Sequence, residues 1–444
     1  MRAADLKDKK IAIWGLGHEG KAAAKFIHKA LPGHTLLFVD EAAGPEKIDG
    51  LPDGSLIMRG AELIAEALKD IDVVVKSPGV SLYNPTIQRL RDKGVTITSL
   101  LNLWIAEPHR AKTICVTGTK GKSTTSNLLF HTLKALGEKT GLGGNIGVPV
   151  AEIDGNKVDF AVIEVSSYQA ADFEENCDVA ILTSLHPEHL DWHGSPEKYF
   201  TDKLNLLKRA KTRIVNFETL ESVIRYGIAP EKLLIFNRAE GLHAKQGRIY
   251  DGEQLIGSPD NAHLARAHNL SNVCAVLTAI KFLGLDLPAA LQSMKNYLPL
   301  PHRQQELGEK DGILYVNDSI ATAPHAAVAA LEFYHTRPLT LIAGGFDRGI
   351  DYDPLIDYIL AHNIHAVIAL GPSGKRIHDG LKKHREERIG MAATMADAVS
   401  QAKTVTPKGG VILLSPAAPS YGLFKDFIER GKCFAAECGF KIEA

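Results

Sequence analysis

A glycine-rich stretch with two lysines, Thr117 to Thr124, carries residue types that bind a triphosphate. It reads T-G-T-K-G-K-S-T and follows a β-branched run that predicts a buried strand. Glycines let backbone N–H groups approach phosphate oxygens, and a helix starting at Lys122 adds the partial positive charge of its N-terminus. Lys122 would reach the β- and γ-phosphates, and Ser123 or Thr124 would bind Mg²⁺. The stretch departs from the usual pattern G-x-x-x-x-G-K-[ST], because Val116 replaces the first glycine.

Two segments with acidic or histidine side chains follow the glycine-rich stretch. Glu164 lies in the apolar run Phe160 to Val165, where a carboxylate is costly to bury without a partner. Because Mg²⁺ prefers hard oxygen ligands, Glu164 is a candidate ligand, with a local hydrogen-bonding or capping role as the alternative. The segment H-P-E-H-L-D-W-H, from His186 to His193, places His189 four residues before its last histidine. We expect no zinc there, because H-E-x-x-H and a nearby cysteine are both lacking.

Two further glycine-rich turns are candidate ligand sites. A G-x-G-x-x-G sequence begins at Gly15, includes Gly17, and lies between a predicted strand and a predicted helix. Asp40 comes twenty residues after its last glycine, as in a dinucleotide fingerprint. We expect a phosphate-bearing ligand there; the alternative is that these glycines only allow close helix–sheet packing. The second sequence, G-G-N-I-G, either places Asn145 near phosphate or a metal or is only a turn.

The length of 444 residues suggests about three domains. We expect an α/β fold with a Rossmann-like N-terminal domain, a central phosphate-loop domain with a mostly parallel sheet, and a Rossmann-like C-terminal domain. The predicted boundaries are 1–106, 107–301 and 302–444, with prolines at the second boundary marking a linker. The predicted strands include Ile11–Trp14, Leu36–Val39, Val73–Val75, Val95–Thr98, Thr113–Thr117, Phe160–Val165, Val179–Thr183, Arg213–Asn216, Leu314–Asn317, Leu339–Ala343, Ala366–Leu370 and Val411–Leu414. Residues 249–256 predict a hairpin, and residues 269–283 predict an amphipathic helix.

The composition argues against several classes of protein. A net charge of −1 disfavours a dedicated nucleic-acid or anionic-membrane surface. No apolar run approaches the about 18 residues that a membrane helix needs. The five cysteines show no C-x-x-C and no paired spacing, so reduced thiols are the simplest account. We therefore expect a cytoplasmic protein that binds neither nucleic acid nor membrane, and we also expect a monomer.

Taken together, these motifs resemble those of the Mur ligases of bacterial cell-wall synthesis. They are T-G-T-K-G-K-S-T at Thr117, G-G-N-I-G at Gly143, E-V-S-S-Y-Q at Glu164, H-P-E-H-L-D at His186, H-N-L-S-N at His268, L-P-H-R at Leu300, N-D-S at Asn317 and S-P-A at Ser415. The resemblance spans the chain and is closest to the branch that adds glutamate to UDP-N-acetylmuramoyl-L-alanine. It implies an ATP- and Mg²⁺-dependent amide ligase of peptidoglycan precursor synthesis. The substrate carboxylate would become an acyl phosphate, from which the incoming amine displaces phosphate.

The resemblance also implies roles for individual residues. The implied catalytic residues are Lys122, Glu164, His189 and Lys203. The implied Mg²⁺ ligands are Ser123, Glu164, His189 and Lys203, the last one carbamylated, which turns a cation into an oxygen ligand; without the resemblance, Lys203 would be taken for an ordinary surface lysine. The implied ATP-binding residues are Gly118, Thr119, Lys120, Gly121, Lys122, Ser123, Thr124, Asn269, Asn272, Arg303 and Asp318. The UDP-sugar would contact Gly15, Gly17, Asp40, Ser77 and Asn145, and glutamate would contact Thr322, Arg348, Ser415 and Phe424.

Three departures from the family pattern bear on which glutamate is used. Ile320 stands where members that add D-glutamate have the lysine of N-D-S-K-A-T. Arg348 stands where a lysine often binds the amino-acid carboxylate, and arginine can pair with it bidentately. Pro419 interrupts the pattern S-P-A-x-A-S. The isoleucine segment and H-P-E-H-L-D-W-H look closer to a branch that adds L-glutamate, so we favour L-glutamate over D-glutamate.

Two other functions compete with this interpretation. A folylpolyglutamate synthase shares the phosphate loop and the acyl-phosphate chemistry, but the N-terminal G-x-G-x-x-G disfavours it. A nucleotide-sensing protein without catalysis is the second alternative. The intact set of Lys122, Glu164, His189 and Lys203 disfavours a decayed site.

Overall fold

The computed structural model describes residues 1–41, 51–52, 54–347, 349–362, 364–384 and 387–442. The chain forms two compact units, Met1–Leu298 and Pro299–Ala444. In the described part of the chain, the first unit holds two parallel sheets and a small antiparallel one, and the second unit holds one mostly parallel sheet.

The N-terminal part of the first unit is a five-stranded parallel sheet with helices. Its elements are β1 (Ile11–Trp14), α1 (His18–Ala30), β2 (Leu36–Asp40), β3 (Leu56–Arg59), α2 (Ala61–Ala67), β4 (Val73–Lys76), α3 (Pro85–Asp92), β5 (Thr96–Thr98) and α4 (Leu100–Ala106). The strand order is β3-β2-β1-β4-β5. The order reverses between β1 and β4, which places a crevice for a ligand at the carboxyl ends of these two strands. All residues of β1 and β4 are buried, as expected for strands covered on both faces.

The rest of the first unit is a six-stranded parallel sheet with a small antiparallel sheet. Its elements are β6 (Lys112–Thr117), α5 (Lys122–Ala135), β7 (Thr140–Gly144), β8 (Phe160–Glu164), α6 (Ser167–Ala171), β9 (Cys177–Leu182), α7 (Leu190–His193), α8 (Pro196–Lys208), β10 (Ala210–Asn216), α9 (Leu220–Arg225), β11 (Leu233–Phe236), β12 (Leu242–Lys245), β13 (Arg248–Asp251), β14 (Gln254–Gly257), α10 (Ala267–Phe282) and α11 (Leu287–Ser293). The parallel sheet has the order β11-β10-β9-β6-β8-β7, and the antiparallel sheet has the order β12-β13-β14. The predicted hairpin is β13 and β14.

The helix predicted to be amphipathic is α10, and the amphipathic pattern is wrong. Every residue from Val273 to Ile280 is buried. The physical reason is that α10 packs against α5 and α11 and also contacts β10, β11 and β12, so it has neighbours on several sides. A helix covered in this way needs apolar side chains around its circumference rather than along one stripe.

A buried ion pair joins the two large sheets of the first unit. Lys76, the last residue of β4, places its Nζ 2.7 Å from Oδ2 of Asp172, which follows α6. Both side chains are almost completely buried. Burial raises the pKa of the Asp172 carboxyl, while the Lys76 charge acts in the opposite direction. Next to the pair, Nδ2 of Asn102 on α4 donates to the Asp172 carbonyl oxygen at 2.6 Å.

The second unit is a six-stranded sheet with helices. Its elements are β15 (Gln305–Lys310), β16 (Ile313–Asn317), α12 (Pro324–Tyr334), β17 (Leu339–Ala343), α13 (Asp353–Ala361), β18 (Ala366–Leu370), α14 (Gly371–Lys382), β19 (Ile389–Ala392), α15 (Met395–Val405), β20 (Val411–Leu414) and α16 (Phe427–Glu437). The order is β15-β16-β20-β17-β18-β19, with β15 antiparallel to β16 and the other pairs parallel. Strands β17, β18 and β20 are buried along their whole length.

The predicted α/β class is confirmed, including the parallel central sheet. Each predicted apolar run overlaps a strand. The domain boundaries stay predictions, and the two compact units divide after Leu298. None of the described helices is long and apolar enough to cross a bilayer.

Candidate active site

The carboxyl ends of three neighbouring strands bring the glycine-rich loop and Glu164 to one edge of the central sheet. Strand β6 lies between β8 and β9. In the register, Val116 of β6 faces Glu164 of β8, and Thr117 faces Leu182 of β9. The segments after β6, β8 and β9 therefore begin side by side, which is where parallel α/β sheets bind ligands.

Two glycines of the loop have conformations and surroundings that exclude a side chain. Gly118 has φ of +150° and Gly121 has φ of +83°. A Cβ atom on Gly118 would lie 2.0 Å from Oγ1 of Thr183, and one on Gly121 would lie 2.6 Å from Oδ1 of Asn272. The hydroxyl of Thr119 donates to the carbonyl oxygen of His186 at 2.8 Å. The loop is thus enclosed by the segment that follows β9 and by Asn272. Helix α5 starts directly after it, at Lys122.

Two lysine amino groups meet at the loop. Nζ of Lys122 donates to the carbonyl oxygens of Gly118 at 2.8 Å and Thr119 at 2.9 Å. Nζ of Lys203, from α8, donates to the same Gly118 oxygen at 2.9 Å. The structure therefore brings together two residues that lie 81 positions apart in the chain.

Lys203 is not the ordinary surface lysine that its sequence would suggest. Its side chain is 1% exposed, and its Nζ lies 5.1 Å from the centre of the Tyr199 ring. Burial lowers the pKa of Lys203 well below its ordinary value, and the nearby Lys122 charge lowers it further, against the attraction of Glu188 and Glu164. A lysine with a lowered pKa carries more of its neutral amine, the form that reacts as a nucleophile.

Glu164 is a buried carboxylate with one oxygen left for a cation. Its side chain is 1% exposed, and Oε1 accepts a hydrogen bond from Nδ2 of Asn145 at 2.7 Å. Within the described part of the chain, no hydrogen-bond donor reaches Oε2. An unpaired buried carboxylate oxygen is costly, and a divalent cation would compensate it. Together with the hydroxyl of the buried Ser123 at the start of α5, this donor set fits Mg²⁺.

His189 lies near the same edge, in a loop with left-handed backbone. It has φ of 56° and precedes the short helix α7. Its Nε2 lies 3.7 Å from Oε2 of Glu188, and Oε1 of Glu188 accepts a hydrogen bond from Nζ of Lys120 at 2.9 Å. Among the described residues, no three His, Cys, Asp or Glu side chains are grouped so that they could hold a metal ion.

Asn269 and Asn272 connect α10 to the loop. Oδ1 of Asn272 accepts from the hydroxyl of Thr125 at 3.1 Å, and its Nδ2 donates to Oδ1 of Asn269 at 3.0 Å. Nδ2 of Asn269 donates in turn to the His263 carbonyl oxygen. These amides place the beginning of α10 against α5, next to the glycine loop.

Four of the five predicted UDP-sugar residues meet at the reversal point of the first sheet. The backbone N–H of Leu16 donates to Oδ2 of Asp40 at 2.8 Å, and the hydroxyl of Ser77 donates to the Gly15 carbonyl oxygen at 3.3 Å. At Gly17 an added Cβ would meet no described atom within 4 Å, so a ligand can approach the backbone there. The fifth residue, Asn145, lies at the central sheet beside Glu164 instead.

In the second unit, three predicted residues meet between β16 and β20. Asp318 accepts a hydrogen bond from the hydroxyl of Ser415 at 2.7 Å and another from the backbone N–H of Gln304 at 3.1 Å. Burial raises the pKa of Asp318 to about 7. The charge of Arg303 acts against this rise, and Nε of Arg303 is buried with no hydrogen-bond partner among the described residues.

We expect Asp318 to make the second unit less stable as the pH rises from about 4 to 7. The unfolded carboxyl releases its proton near 3.8, whereas the folded one holds it to about 7, so in this window the native state binds more protons. Asp318→Asn should reduce the loss of unfolding free energy across this window by at most about 4 kcal/mol. Urea unfolding of the full chain at several pH values measures the difference. An unchanged pH dependence would show that this carboxyl titrates normally.

The predicted glutamate residues are only partly brought together. Ser415 is completely buried and directs its hydroxyl to Asp318. Phe424 packs against the apolar core below β20. Thr322 is half-buried in the segment that follows β16, and Arg348 lies outside the described residues.

The structure adds one residue that sequence reasoning missed. Arg430 of α16 is completely buried, and its guanidinium donates to the hydroxyl and carbonyl oxygens of Ser319 and to the carbonyl oxygen of Ala418. It therefore joins the segments that follow β16 and β20. Burial lowers the pKa of Arg430 to about 10. Charged residues precede and follow Arg430 in the sequence of α16, Glu429 directly before it and Lys432 two residues after it, so the local sequence gives no signal of this role.

Comparison with known proteins gives three domains in the order that the sequence motifs predict. Family models match residues 9–99 as a Mur ligase MurD-like N-terminal domain, 116–280 as a Mur ligase middle domain, and 302–418 as a Mur ligase glutamate ligase domain. A UDP-N-acetylmuramoyl-L-alanine–L-glutamate ligase of Xanthomonas euvesicatoria is 38% identical over 99% of this chain and 97% of its own length. The chain belongs to the Mur ligase family. It is therefore an ATP-dependent, ADP-forming ligase of peptidoglycan biosynthesis.

Other relatives of this Mur ligase agree. A second UDP-N-acetylmuramoyl-L-alanine–L-glutamate ligase, from Salinispora tropica, is 38% identical over 98% of this chain and 98% of its own length. The solved structure of the UDP-N-acetylmuramate–alanine ligase of Thermotoga maritima has a TM-score of 0.56 at 19% identity, covering 97% of this chain and 99% of that one. This last similarity shows a common fold.

Proposed function

We propose that this Mur ligase joins L-glutamate to UDP-N-acetylmuramoyl-L-alanine, with ATP and Mg²⁺. The observation that carries the ATP-driven step is the buried Glu164 carboxylate with an unpaired oxygen beside a lysine-bearing glycine loop. The choice of glutamate as the added amino acid, and its L configuration, are supported by the two relatives, which match over nearly their whole length and are named as L-glutamate ligases. Ile320 in place of a lysine points in the same direction.

The reaction brings two anions together, and the residues at the loop reduce their repulsion. An oxygen of the alanyl carboxylate attacks the γ-phosphorus of ATP, ADP leaves, and an acyl phosphate forms. The amine of glutamate then attacks the acyl carbon and phosphate leaves. Lys122 balances charge at the β- and γ-phosphates, while the N-terminus of α5 binds them through backbone N–H groups. Ser123, Glu164 and His189 would hold Mg²⁺, whose positive charge would offset the negative charge of the phosphates.

We further propose that Lys203 is carbamylated. The neutral amine would attack the carbon of CO₂ and release a proton, which leaves a carbamate anion. The burial of Lys203 and the adjacent Lys122 charge support this step, because they favour the neutral amine. The resulting oxygens would join Glu164 as ligands of Mg²⁺.

Each part of the chain then has its own ligand. Residues 1–106 would hold the UDP-sugar at Gly15, Gly17, Asp40 and Ser77. Residues 107–301 would hold ATP at the glycine loop, Asn269 and Asn272. Residues 302–444 would hold glutamate near Thr322, Arg348, Ser415 and Phe424.

The enzyme should discriminate between L-glutamate and D-glutamate. With UDP-N-acetylmuramoyl-L-alanine, ATP and Mg²⁺, we expect kcat/KM for L-glutamate to exceed that for D-glutamate at least about tenfold, because a pocket that fixes both charged ends of one enantiomer mispositions the other amine. Phosphate release and chromatography of the product measure both rates. A preference for D-glutamate would contradict the assignment of configuration while leaving the ligase reaction intact.

A binding measurement, combined with the assay of phosphate release, separates the competing functions. Calorimetry should detect binding of UDP-N-acetylmuramoyl-L-alanine and no binding of folate, whereas a folylpolyglutamate synthase would show the opposite. ATP binding without phosphate release with either glutamate would favour a nucleotide-sensing protein.

A further inference from the structure

A buried histidine in the first unit has both ring nitrogens engaged. Nδ1 of His193 lies 2.6 Å from Oδ2 of Asp202, and its Nε2 lies 3.0 Å from Oγ of Ser167. The imidazole is completely buried. The hydroxyl of Tyr83, from the loop between β4 and α3, donates to both oxygens of the same aspartate, at 2.9 and 3.0 Å. The imidazole therefore lies at the centre of a network that joins four segments.

Three of these segments carry a candidate Mg²⁺ ligand. Glu164 ends β8, three residues before the serine of α6 that the imidazole contacts. Helix α7, which ends with the imidazole, is preceded by His189. Helix α8 carries Lys203, directly after the aspartate of the network. The imidazole thus contacts or belongs to each of the three segments that carry these candidate ligands.

The order serine, histidine, aspartate also occurs in hydrolase triads, but here it cannot form one. Ser167 is only 3% exposed, and the rings of Tyr168 and Trp192 lie within 6 Å of the imidazole centre. An acyl group has no access to the hydroxyl, so the serine does not act as a nucleophile. With the carboxylate accepting from Nδ1–H, a neutral ring accepts at Nε2 from the serine hydroxyl, which is a purely structural arrangement of donors and acceptors.

We propose that His193 is a positioning residue for the metal site. Through its two hydrogen bonds, the imidazole fixes the relative positions of the segments that carry Glu164, His189 and Lys203. This inference rests on the proposed function, since it presumes that these residues bind Mg²⁺. Residues that orient metal ligands usually change metal affinity by about tenfold to 100-fold when they are replaced.

Each of two substitutions removes one of the two hydrogen bonds of the imidazole and keeps the other. In His193→Asn the amide reaches the position of Nδ1 and keeps the contact to Asp202, whereas in His193→Gln it reaches the position of Nε2 and keeps the contact to Ser167. Binding of Mn²⁺ to the complex of full-length protein and ADP, measured by electron paramagnetic resonance, reports metal affinity without turnover. We expect each variant to bind Mn²⁺ about tenfold more weakly or worse, with unchanged affinity for ADP in the presence of a chelator.

Two control variants make the outcome decisive. His243→Asn removes a histidine hydrogen bond in β12 and should leave Mn²⁺ binding unchanged. Glu164→Gln should abolish it. If Glu164→Gln lowers Mn²⁺ affinity and both His193 variants retain it, even with a lower melting temperature, the positioning role is wrong and the proposed function stands. If Glu164→Gln also leaves Mn²⁺ affinity unchanged, the metal site itself is wrong.

Discussion

Lys122→Ala is expected to lower kcat at least ~10²-fold, the scale of losing one preorganised charge contact in an active site. The Lys122 amino group already lies over the Gly118 and Thr119 carbonyl oxygens, so it needs little rearrangement to meet a phosphate. The substitution removes the positive charge without altering the glycine conformations of the loop. Release of inorganic phosphate, with both co-substrates saturating, measures the effect.

The matched control is Lys134→Ala, in the last turn of the same helix. Its side chain is exposed and contacts the ring of Phe130, so its charge lies away from the loop. We expect kcat within twofold of the unmodified protein, roughly the scatter of surface substitutions. Near-normal phosphate release by Lys122→Ala would show that the lysine of this loop does not take part in the reaction.

Glu164→Gln should lose Mg²⁺-dependent turnover to a similar extent, at least ~10²-fold, while the protein stays folded. The amide keeps an oxygen that can accept from Asn145, so the local hydrogen bond survives. It also removes a buried negative charge whose Oε2 has no hydrogen-bond partner in the described residues. We therefore expect a melting temperature equal to or above that of the unmodified protein, because an uncompensated buried charge destabilises the fold.

Titration of turnover against Mg²⁺ concentration separates the two effects. Glu152→Gln, an exposed glutamate of the same unit, is the control and should behave normally. Full activity of Glu164→Gln at low Mg²⁺ would refute the role of this carboxylate. A lower melting temperature together with lost activity would instead indicate that the charge stabilises the sheet edge.

The strands with the strongest sequence signal are those buried on both faces. β17 and β18 are five-residue apolar runs, and burial is the physical reason for their composition. β7, with the sequence T-G-L-G-G, and β15, with Q-E-L-G-E-K, gave no such signal. Both are edge strands with a neighbour on one side only, so polar and glycine residues are tolerated in them.

The candidate site was predictable where it follows strand ends and not where it depends on distant contacts. Because parallel strands end at one edge, the proximity of Glu164 to the glycine loop follows from the sequence pattern. The contact of Lys203 with Gly118 joins positions 85 residues apart, and no local pattern encodes it. The same holds for His193 and Asp202, whose pairing depends on how α7 and α8 pack.

The ion pair of Lys76 and Asp172 limits how this enzyme can be recombined with its relatives. A chimaera that takes its first hundred residues from a protein with an apolar side chain at position 76 would keep the aspartate but lose its counter-charge. Leaving one member of such a pair alone in the interior destabilises a protein by about 3–5 kcal/mol. A chimaera joined between the two sheets therefore needs both the lysine and the aspartate, or apolar residues at both positions.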